Sequence, residues 1–329
     1  MRSFALAILA SAAAAAPMGT LEYEFVQYIA KFGKSYKDTN EYNLRFQRFM
    51  KRDQEIKEIM ANETTSVHGH NFLSDYTAQE VTRMLGLKNM AKVQRPEATF
   101  TAPEGVALPV SWNWVTAGNY VNPVQDQGQC GSCWAFSATA ALESAYAIKH
   151  NVLYKLSEQN FVSCSFLYGN LGCNGGLYNY AWNYSQTHPI ESEANYPYTS
   201  GTTMKSGSCL YNQSLGIFGA TGHVVVGTDT NSIMTAIYQQ PQSVSVEADT
   251  AYFQSYTSGV LTNAAACGTN LDHAIVAVGW GVDPTAGGYY IVRNSWGTSW
   301  GQGGYVNIGQ AAYPGICGIN MDVEYPTVA

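Results

Sequence analysis

Between residues 21 and 62, apolar positions recur at helical spacing against a background rich in Glu, Lys and Arg. Phe25, Tyr28, Ile29 and Phe32 share one helical face, and Leu44, Phe46, Phe49, Ile56 and Ile59 define a second helix. The pattern changes at residues 125–150, QDQGQCGSCWAFSATAALESAYAIKH, where a polar, Gly-rich loop turns into an Ala-rich helix with Phe136, Ala140, Leu142, Tyr146 and Ile148 at helical spacing. Leu156–Phe161 reads as the start of a further helix with Ser157 as its cap. Cys173-Asn174-Gly175-Gly176 is a turn signal. Past Gly216 the period shortens. His223–Val226, Ser243–Val246, Ala274–Val278 and Tyr289–Val292 are short β-branched runs bounded by Gly, the signature of strands. A helical half followed by a β-rich half predicts an α+β architecture of two lobes with a cleft between them.

Composition sharpens the domain boundaries. The chain has 329 residues, and only 12% are charged while 13% are aromatic, which excludes a disordered chain and gives no basic patch for nucleic acid. Up to Val106 there are 13 Lys/Arg and 12 Asp/Glu; from Ala107 onward there are 4 and 12. This shift from charge-dense to acidic and charge-poor coincides with Pro96, Pro103, Gly105 and Pro109, and predicts a boundary near residue 107. Met1-Arg2, a short apolar stretch and a run of small residues ahead of Pro17 form a secretory leader over residues 1–16. The stretch is too short to span a bilayer. The expected organisation is a leader (1–16), a helical segment (17–106) and a main domain (107–329). Asn62, Asn183 and Asn212 stand in glycosylation sequons.

Seven cysteines, all from Cys130 onward, leave an odd thiol in a chain expected where disulfides persist. The other six allow 15 pairings. Cys133 sits where loop becomes helix, and the unpaired N–H groups and dipole of a helix start favour thiolate over thiol. Gln127, six residues upstream, brings an amide donor, so the stretch is equipped to attack a carbonyl and hold the oxyanion. An inert core cysteine, a Cys130-x-x-Cys133 redox pair, and half of a zinc site are the competing readings. The redox pair leaves five cysteines, still odd, and the zinc site lacks a second close Cys/His pair.

QGQCGSCWAF is similar to the active-site signature of the papain family of cysteine proteases, on its cathepsin L branch, and the similarity runs from about Tyr28 to Val328. The resemblance implies a helical left lobe and a barrel-like right lobe. It also implies the disulfides Cys130–Cys173, Cys164–Cys209 and Cys267–Cys317, leaving Cys133 as nucleophile. His273, 140 residues downstream and before an apolar strand, fits the family's base, and Asn294 in Arg293–Gly301 fits the amide that orients it. Trp296 would shield that bond and Trp300 would border the leaving-group side; plain core packing is the alternative for both tryptophans. Gly175 and Gly176 would lie along the substrate backbone, and Leu177, Tyr178 and Asp322 would border the pocket for P2, the second residue before the cut. An acidic Asp322 would admit Arg as well as hydrophobic P2 groups; its bland alternative is a surface carboxylate. The resting site would be a Cys133 thiolate and a His273 imidazolium.

Glu41, Arg45, Phe49 and Ile56 match the long-helix motif of inhibitory propeptides in this family, with Arg52 and Met60 where Asn is usual. Gly69–Asp75 resembles their second motif, with Leu73 in place of Phe. Such a segment would lie backwards through the cleft. No histidine-bearing insertion of the exopeptidase type is present, so an endopeptidase is expected. The expected partners are protein and peptide substrates, the chain's own propeptide and cystatin-like inhibitors. Neither cofactor nor metal, nucleic acid nor membrane is expected, and the protein should be a monomer in the lysosome, vacuole or extracellular space. A peptide-binding or storage protein of the same fold is the alternative from another class.

Overall fold

The computed structural model describes residues 19–87 and 97–329. The expected leader and Pro96 lie outside these residues. The N-terminal unit contains α1 (Thr20–Phe32), α2 (Thr39–Met60), β1 (Ser66–His68) and α3 (Ala78–Met84). The predicted apolar faces meet here: Phe25, Tyr28 and Phe49 are buried, with Phe25 and Phe49 ring centroids 5.2 Å apart. Asp38 caps α2 by accepting from Glu41 N–H at 2.9 Å. Asp75 is the polar hub of the unit. Its buried carboxylate accepts from Tyr28 Oη (2.7 Å), Lys34 Nζ (2.8 Å) and Tyr36 Oη (2.8 Å). Arg45 grips Glu80 with two bonds of 2.6 and 2.7 Å, a bidentate pair that fixes α3 against α2.

The helical half begins with β2 (Trp112–Asn113) and α4 (Trp114–Ala117). It continues through α5 (Cys133–His150), α6 (Glu158–Cys164), α7 (Tyr178–Ser185) and α8 (Ser200–Thr203). Ser157 caps α6, accepting from Asn160 N–H at 3.0 Å. The central helix α5 is not a surface helix with one apolar stripe. It is buried on almost every face down to Ala147, because elements of both halves pack around it.

The sheet half comprises β3 (Gly222–Val225), α9 (Thr230–Gln239), β4 (Gln242–Val246), α10 (Ala251–Gln254), β5 (Tyr256–Leu261), α11 (Ala264–Cys267), β6 (His273–Asp283), β7 (Gly287–Arg293), β8 (Tyr305–Gly309) and β9 (Val323–Thr327). Strands pair in the order β1-β5-β8-β7-β6-β4-β9-β3, with β2 added on β6; among the described residues only the β5 and β8 strands run parallel. Val244, Val246, Ile275, Ala277, Trp280, Val292 and Ile308 form its core. Polar contacts tie the halves together: Ser137 Oγ donates to the Ile275 carbonyl at 2.9 Å and lies 2.8 Å from Ser243 Oγ.

The N-terminal unit is anchored on the sheet half. β1 extends the sheet beside β5, Arg52 Nη2 donates to Gln254 Oε1 at 2.7 Å, and Leu73 enters the sheet-half core. Met60, the second departure from the motif, accepts the His68 N–H through its sulfur at 3.2 Å.

His68 lies within this seam, 5% exposed. Its ring nitrogens meet Ser66 Oγ (2.9 Å) and Ser255 Oγ (3.0 Å), and its ring packs on Tyr252 and edge-on to Tyr256. Among the described residues, the charged side chain acting on it is Glu63. Burial acts to raise the Glu63 pKa, but hydrogen bonds from Thr65 and Tyr252 hold it down at about 2, so Glu63 stays ionised above that. Burial depresses the His68 imidazole to about 4 from its ordinary 6.5. The released segment therefore binds a proton that the docked one refuses between those values. Docking stability is fully present above pH 6.5 and falls by about 3 kcal/mol as pH drops to 4. Hydrogen exchange of the β1 and β5 amides should accelerate over this window, and His68→Asn should flatten that dependence.

Candidate active site

The site lies where the loop before α5 meets the start of β6. Three disulfides, Cys130–Cys173, Cys164–Cys209 and Cys267–Cys317, leave Cys133 as the free thiol. The first of these ties the loop ahead of Cys133 to the turn holding Gly175 and Gly176. Gly176 has to be glycine, because a Cβ there would lie 2.6 Å from the Trp134 ring and 2.4 Å from Asn170 Oδ1.

Cys133 opens α5, fully buried. From the other half, β6 begins at His273 and β7 ends at Arg293, and the β6–β7 pairing sets Val276 opposite Arg293. This register brings Asn294 beside His273, so that His273 Nε2 and Asn294 Oδ1 are 2.7 Å apart. Asn294 Oδ1 also accepts from the Ser295 N–H at 2.8 Å. The Trp296 ring lies over the imidazole at 4.7 Å between centroids and is itself buried. Gln127 completes the group from the loop side: its Nε2 donates to the Cys130 carbonyl at 2.8 Å, and its Oε1 accepts from Ser295 Oγ at 2.7 Å.

A peptide already occupies this cleft, and it belongs to the N-terminal unit. Gln127 Nε2 donates to the Met84 carbonyl at 2.7 Å. The Gly86 N–H points at Cys133 Sγ at 3.2 Å, and the Gly86 carbonyl accepts from the Gly176 N–H at 3.1 Å. The Leu87 N–H then donates to the Asp272 carbonyl at 2.9 Å, and the Leu87 side chain is buried in a cluster with Leu177, Tyr178 and Ala274. The backbone comes so close at residue 86 that a Cβ would lie 2.2 Å from the Gly131 carbonyl oxygen.

Of the residues singled out from the sequence, Cys133, Gln127, His273, Asn294 and Gly176 come together around this peptide. Gly175 adjoins them, and Leu177 and Tyr178 line the Leu87 side. Asp322 is no surface residue. It is 4% exposed, and its Oδ2 accepts from Ser245 Oγ at 2.5 Å. Tyr178 Oη donates to the Asp322 backbone carbonyl at 3.2 Å. Trp300 is fully buried rather than lining an open surface. It stacks on Phe253 at 5.2 Å and shares the sheet-half cluster with Val81, Met84 and Leu85 of the N-terminal unit. Ser295 was not singled out from the sequence as a site residue, and its hydroxyl carries no signal there: it is a small polar residue between the two that do stand out, Asn294 and Trp296.

The electrostatics differ from the ion pair expected at rest. With the cleft filled, burial pushes the Cys133 thiol up to about 11, against the opposing pull of the Ala274 and Gly86 N–H groups. Burial likewise lowers His273 to about 4, with Asn294 acting the other way. Removing water disfavours both charges, so the covered site holds a neutral thiol and a neutral imidazole.

The sequence profile of the papain family of cysteine proteases matches residues 108–327, and that of the cathepsin propeptide inhibitor domain (I29) matches residues 25–81. Fruit bromelain from Ananas comosus is 36% identical, with 99% of this chain and 92% of that protein covered. A cathepsin L-like protein from Caenorhabditis elegans is 38% identical over 79% of this chain and 77% of its own. The solved structure of digestive procathepsin L 3 from Tenebrio molitor larval midgut superposes with a TM-score of 0.80 at 31% identity, covering 94% of this chain and 99% of that one. The fold and site thus define a thiol hydrolase carrying its own inhibitor domain. The chain belongs to the papain family of cysteine proteases and is a cysteine endopeptidase with a propeptide, a zymogen.

The closed cleft generates a direct test. At pH 7 the zymogen thiol should resist iodoacetamide, with labelling at least tenfold slower than in the processed enzyme. Gly86→Ala should raise the zymogen's labelling rate and its basal hydrolysis, because the added methyl pushes the segment off Gly131. Equal labelling of both zymogens would count against the close approach as the source of latency.

Proposed function

We propose that the processed enzyme hydrolyses peptide bonds through Cys133 and His273, with Asn294 orienting the base and Gln127 stabilising the oxyanion. The observation that carries this reading is the Met84 carbonyl, a peptide carbonyl 2.7 Å from the Gln127 amide beside the unpaired thiol. Once the propeptide leaves, water returns and the pair can ionise: the helix start and the imidazolium lower the thiol pKa to about 3–4. The Cys133 thiolate adds to the substrate carbonyl carbon. The oxyanion is held by the Gln127 amide and the Cys133 backbone N–H. The C–N bond breaks as His273 gives its proton to the leaving amine, which departs and leaves a thioester. Neutral His273 then takes a proton from water, whose oxygen attacks the thioester carbonyl. Collapse releases the acid and returns the thiolate–imidazolium pair.

In this reading Gly175 and Gly176 face the substrate backbone before the cut, Leu177, Tyr178 and Asp322 border the P2 pocket, and Trp300 lies toward the leaving group. The propeptide passes Gln127, then Cys133, then Asp272 and Gly176 as its numbering rises. A substrate arriving to be cut would run in the opposite sense, so this order suits an inhibitor that occupies the cleft without presenting a bond for attack. The Leu87 side chain then stands in for a hydrophobic P2 group. The Asp322 carboxylate, steadied by Ser245, gives the same pocket a partner for Arg. The domain limits, with a leader at 1–16, the propeptide at 17–106 and the peptidase at 107–329, belong to this proposal. So do action as a monomer, cystatin-like inhibition and residence in the secretory pathway or beyond it. Among the described residues no helix is long and apolar enough to cross a membrane.

Purified zymogen held at about pH 4–5 should lose roughly 90 residues, take one E-64-type label on Cys133 and cleave a Phe-Arg dipeptide substrate. Processing without label or turnover would favour a peptide-binding protein of this fold. In the processed enzyme, His273→Ala should lower kcat by about 10²–10⁴-fold, and Gln127→Ala by about 10²–10³-fold. An Arg-Arg substrate should also be cleaved, and Asp322→Ala should remove that activity while sparing the Phe-Arg substrate. Failure of the parent enzyme to cleave any substrate with Arg at P2 would sink the acidic-pocket assignment.

A further inference from the structure

We infer that a small monovalent anion of chloride's size binds between the two halves of the protein, held by Arg293 and Asn294. The site is a small cavity between α5, at Phe136 and Ala140, and the start of β6, at Ala274 and Val276; Arg293 and Asn294 close it at the end of β7. The centre of a water-sized sphere can move through about 10 Å³ of this cavity, so there is room for one such ion. Arg293 is 6% exposed and Asn294 2%. Each brings a buried nitrogen with no hydrogen-bond partner among the described residues, Nη1 of Arg293 and Nδ2 of Asn294. Two neighbouring residues with unmet donors thus border one cavity, and a buried donor left unmade is costly.

Charge selects the occupant. A guanidinium keeps its proton in a protein. Arg293 Nη2 donates to the neutral Pro123 carbonyl at 2.7 Å, and no carboxylate among the described residues pairs with it. The buried carboxylates of α5 and α6, Glu143 and Glu158, are taken by Lys155. A buried cation without a counter-charge is strongly disfavoured. Water brings no charge and needs acceptors for its own two hydrogens, whereas the nearest hydroxyls, Ser137 and Ser295, already donate to the Ile275 carbonyl and to Gln127 Oε1. An anion accepts from both open donors and neutralises Arg293. It also secures the amide of Asn294 from its nitrogen end, while His273 and the Ser295 N–H meet the oxygen end. The ion therefore steadies the residue that orients the base. That consequence rests on the protease reading above; the site itself does not.

Crystals of the full zymogen soaked in sodium bromide should show an anomalous peak between Arg293 and Asn294. In solution, replacing gluconate, which is too large for the cavity, with chloride at constant ionic strength should raise the zymogen's Tm saturably, by about 2–4 °C at ten times Kd. Arg293→Met should abolish both the peak and the shift. In the processed enzyme the same exchange should raise kcat/KM for a Phe-Arg dipeptide substrate by up to about tenfold, the scale of one hydrogen bond. Absence of bromide from the cavity, a Tm shift that gluconate matches, or a shift that survives in Arg293→Met would overturn the site. Bromide bound there with kcat/KM indifferent to chloride would overturn the link to Asn294. An inactive parent enzyme that still shows the bromide peak would overturn the protease reading and uphold the site. If Arg293→Met does not fold, the bromide peak and the gluconate comparison in the parent protein decide.

Discussion

The register of one β-hairpin carries the chemistry of this protein. His273 and Asn294 meet only because β6 and β7 pair with Val276 opposite Arg293. A slip of one residue would turn every side chain of a strand to the other face, parting imidazole from amide and lifting Trp296 from the ring it covers. The register is pinned by the burial of Ile275, Ala277 and Val292 in the sheet core. The thiol comes from a separate structural unit, at the start of a helix buried on nearly all sides. The distance between Cys133 and His273 is therefore set by how the halves pack, and the serine contacts between Ser137 and Ser243 lie in that seam.

The same residues take two electrostatic characters according to what covers them. Under the propeptide, Cys133 and His273 are fully buried, and each is driven toward its neutral form. The ion pair the family resemblance implies is not the state of the covered cleft. Inhibition here therefore has an electrostatic part as well as a steric one: the segment both fills the groove and removes the solvent that the charges need. Gly86 makes this possible, since no side chain would let the backbone pass so near Cys133 and Gly131.

Much of this was legible in the sequence, because local signals and global fold agree. The odd cysteine marked Cys133 as the free thiol, the loop-to-helix change located it, and the Asn294–Trp296 stretch held the side chains that meet His273. The aromatic spacing around Phe25, Tyr28 and Phe49 gave the first two helices. What was not legible depends on contacts between segments far apart in the chain. Nothing in the sequence around His68 says that it is sandwiched against Tyr252, nor around Ser295 that its hydroxyl faces Gln127. The all-round burial of α5 also escaped, since an apolar stripe with small residues beside it fits a one-sided helix equally well. Trp300 and Asp322 were picked out for the cleft. Their burial could be seen only in three dimensions.

The anchoring of the N-terminal unit along β5 and α10, with Phe100 bonded beside β3 at Val225, makes the inhibitor a tethered ligand. While the chain is whole, the cleft meets its inhibitor at an effective concentration in the millimolar range set by the connecting length. Cutting that connection turns a first-order closure into a second-order association. Latency then depends on dilution. The cut unit still inhibits in a crowded, confined volume and escapes in an open one, so the size of the compartment becomes a variable in the control of the enzyme.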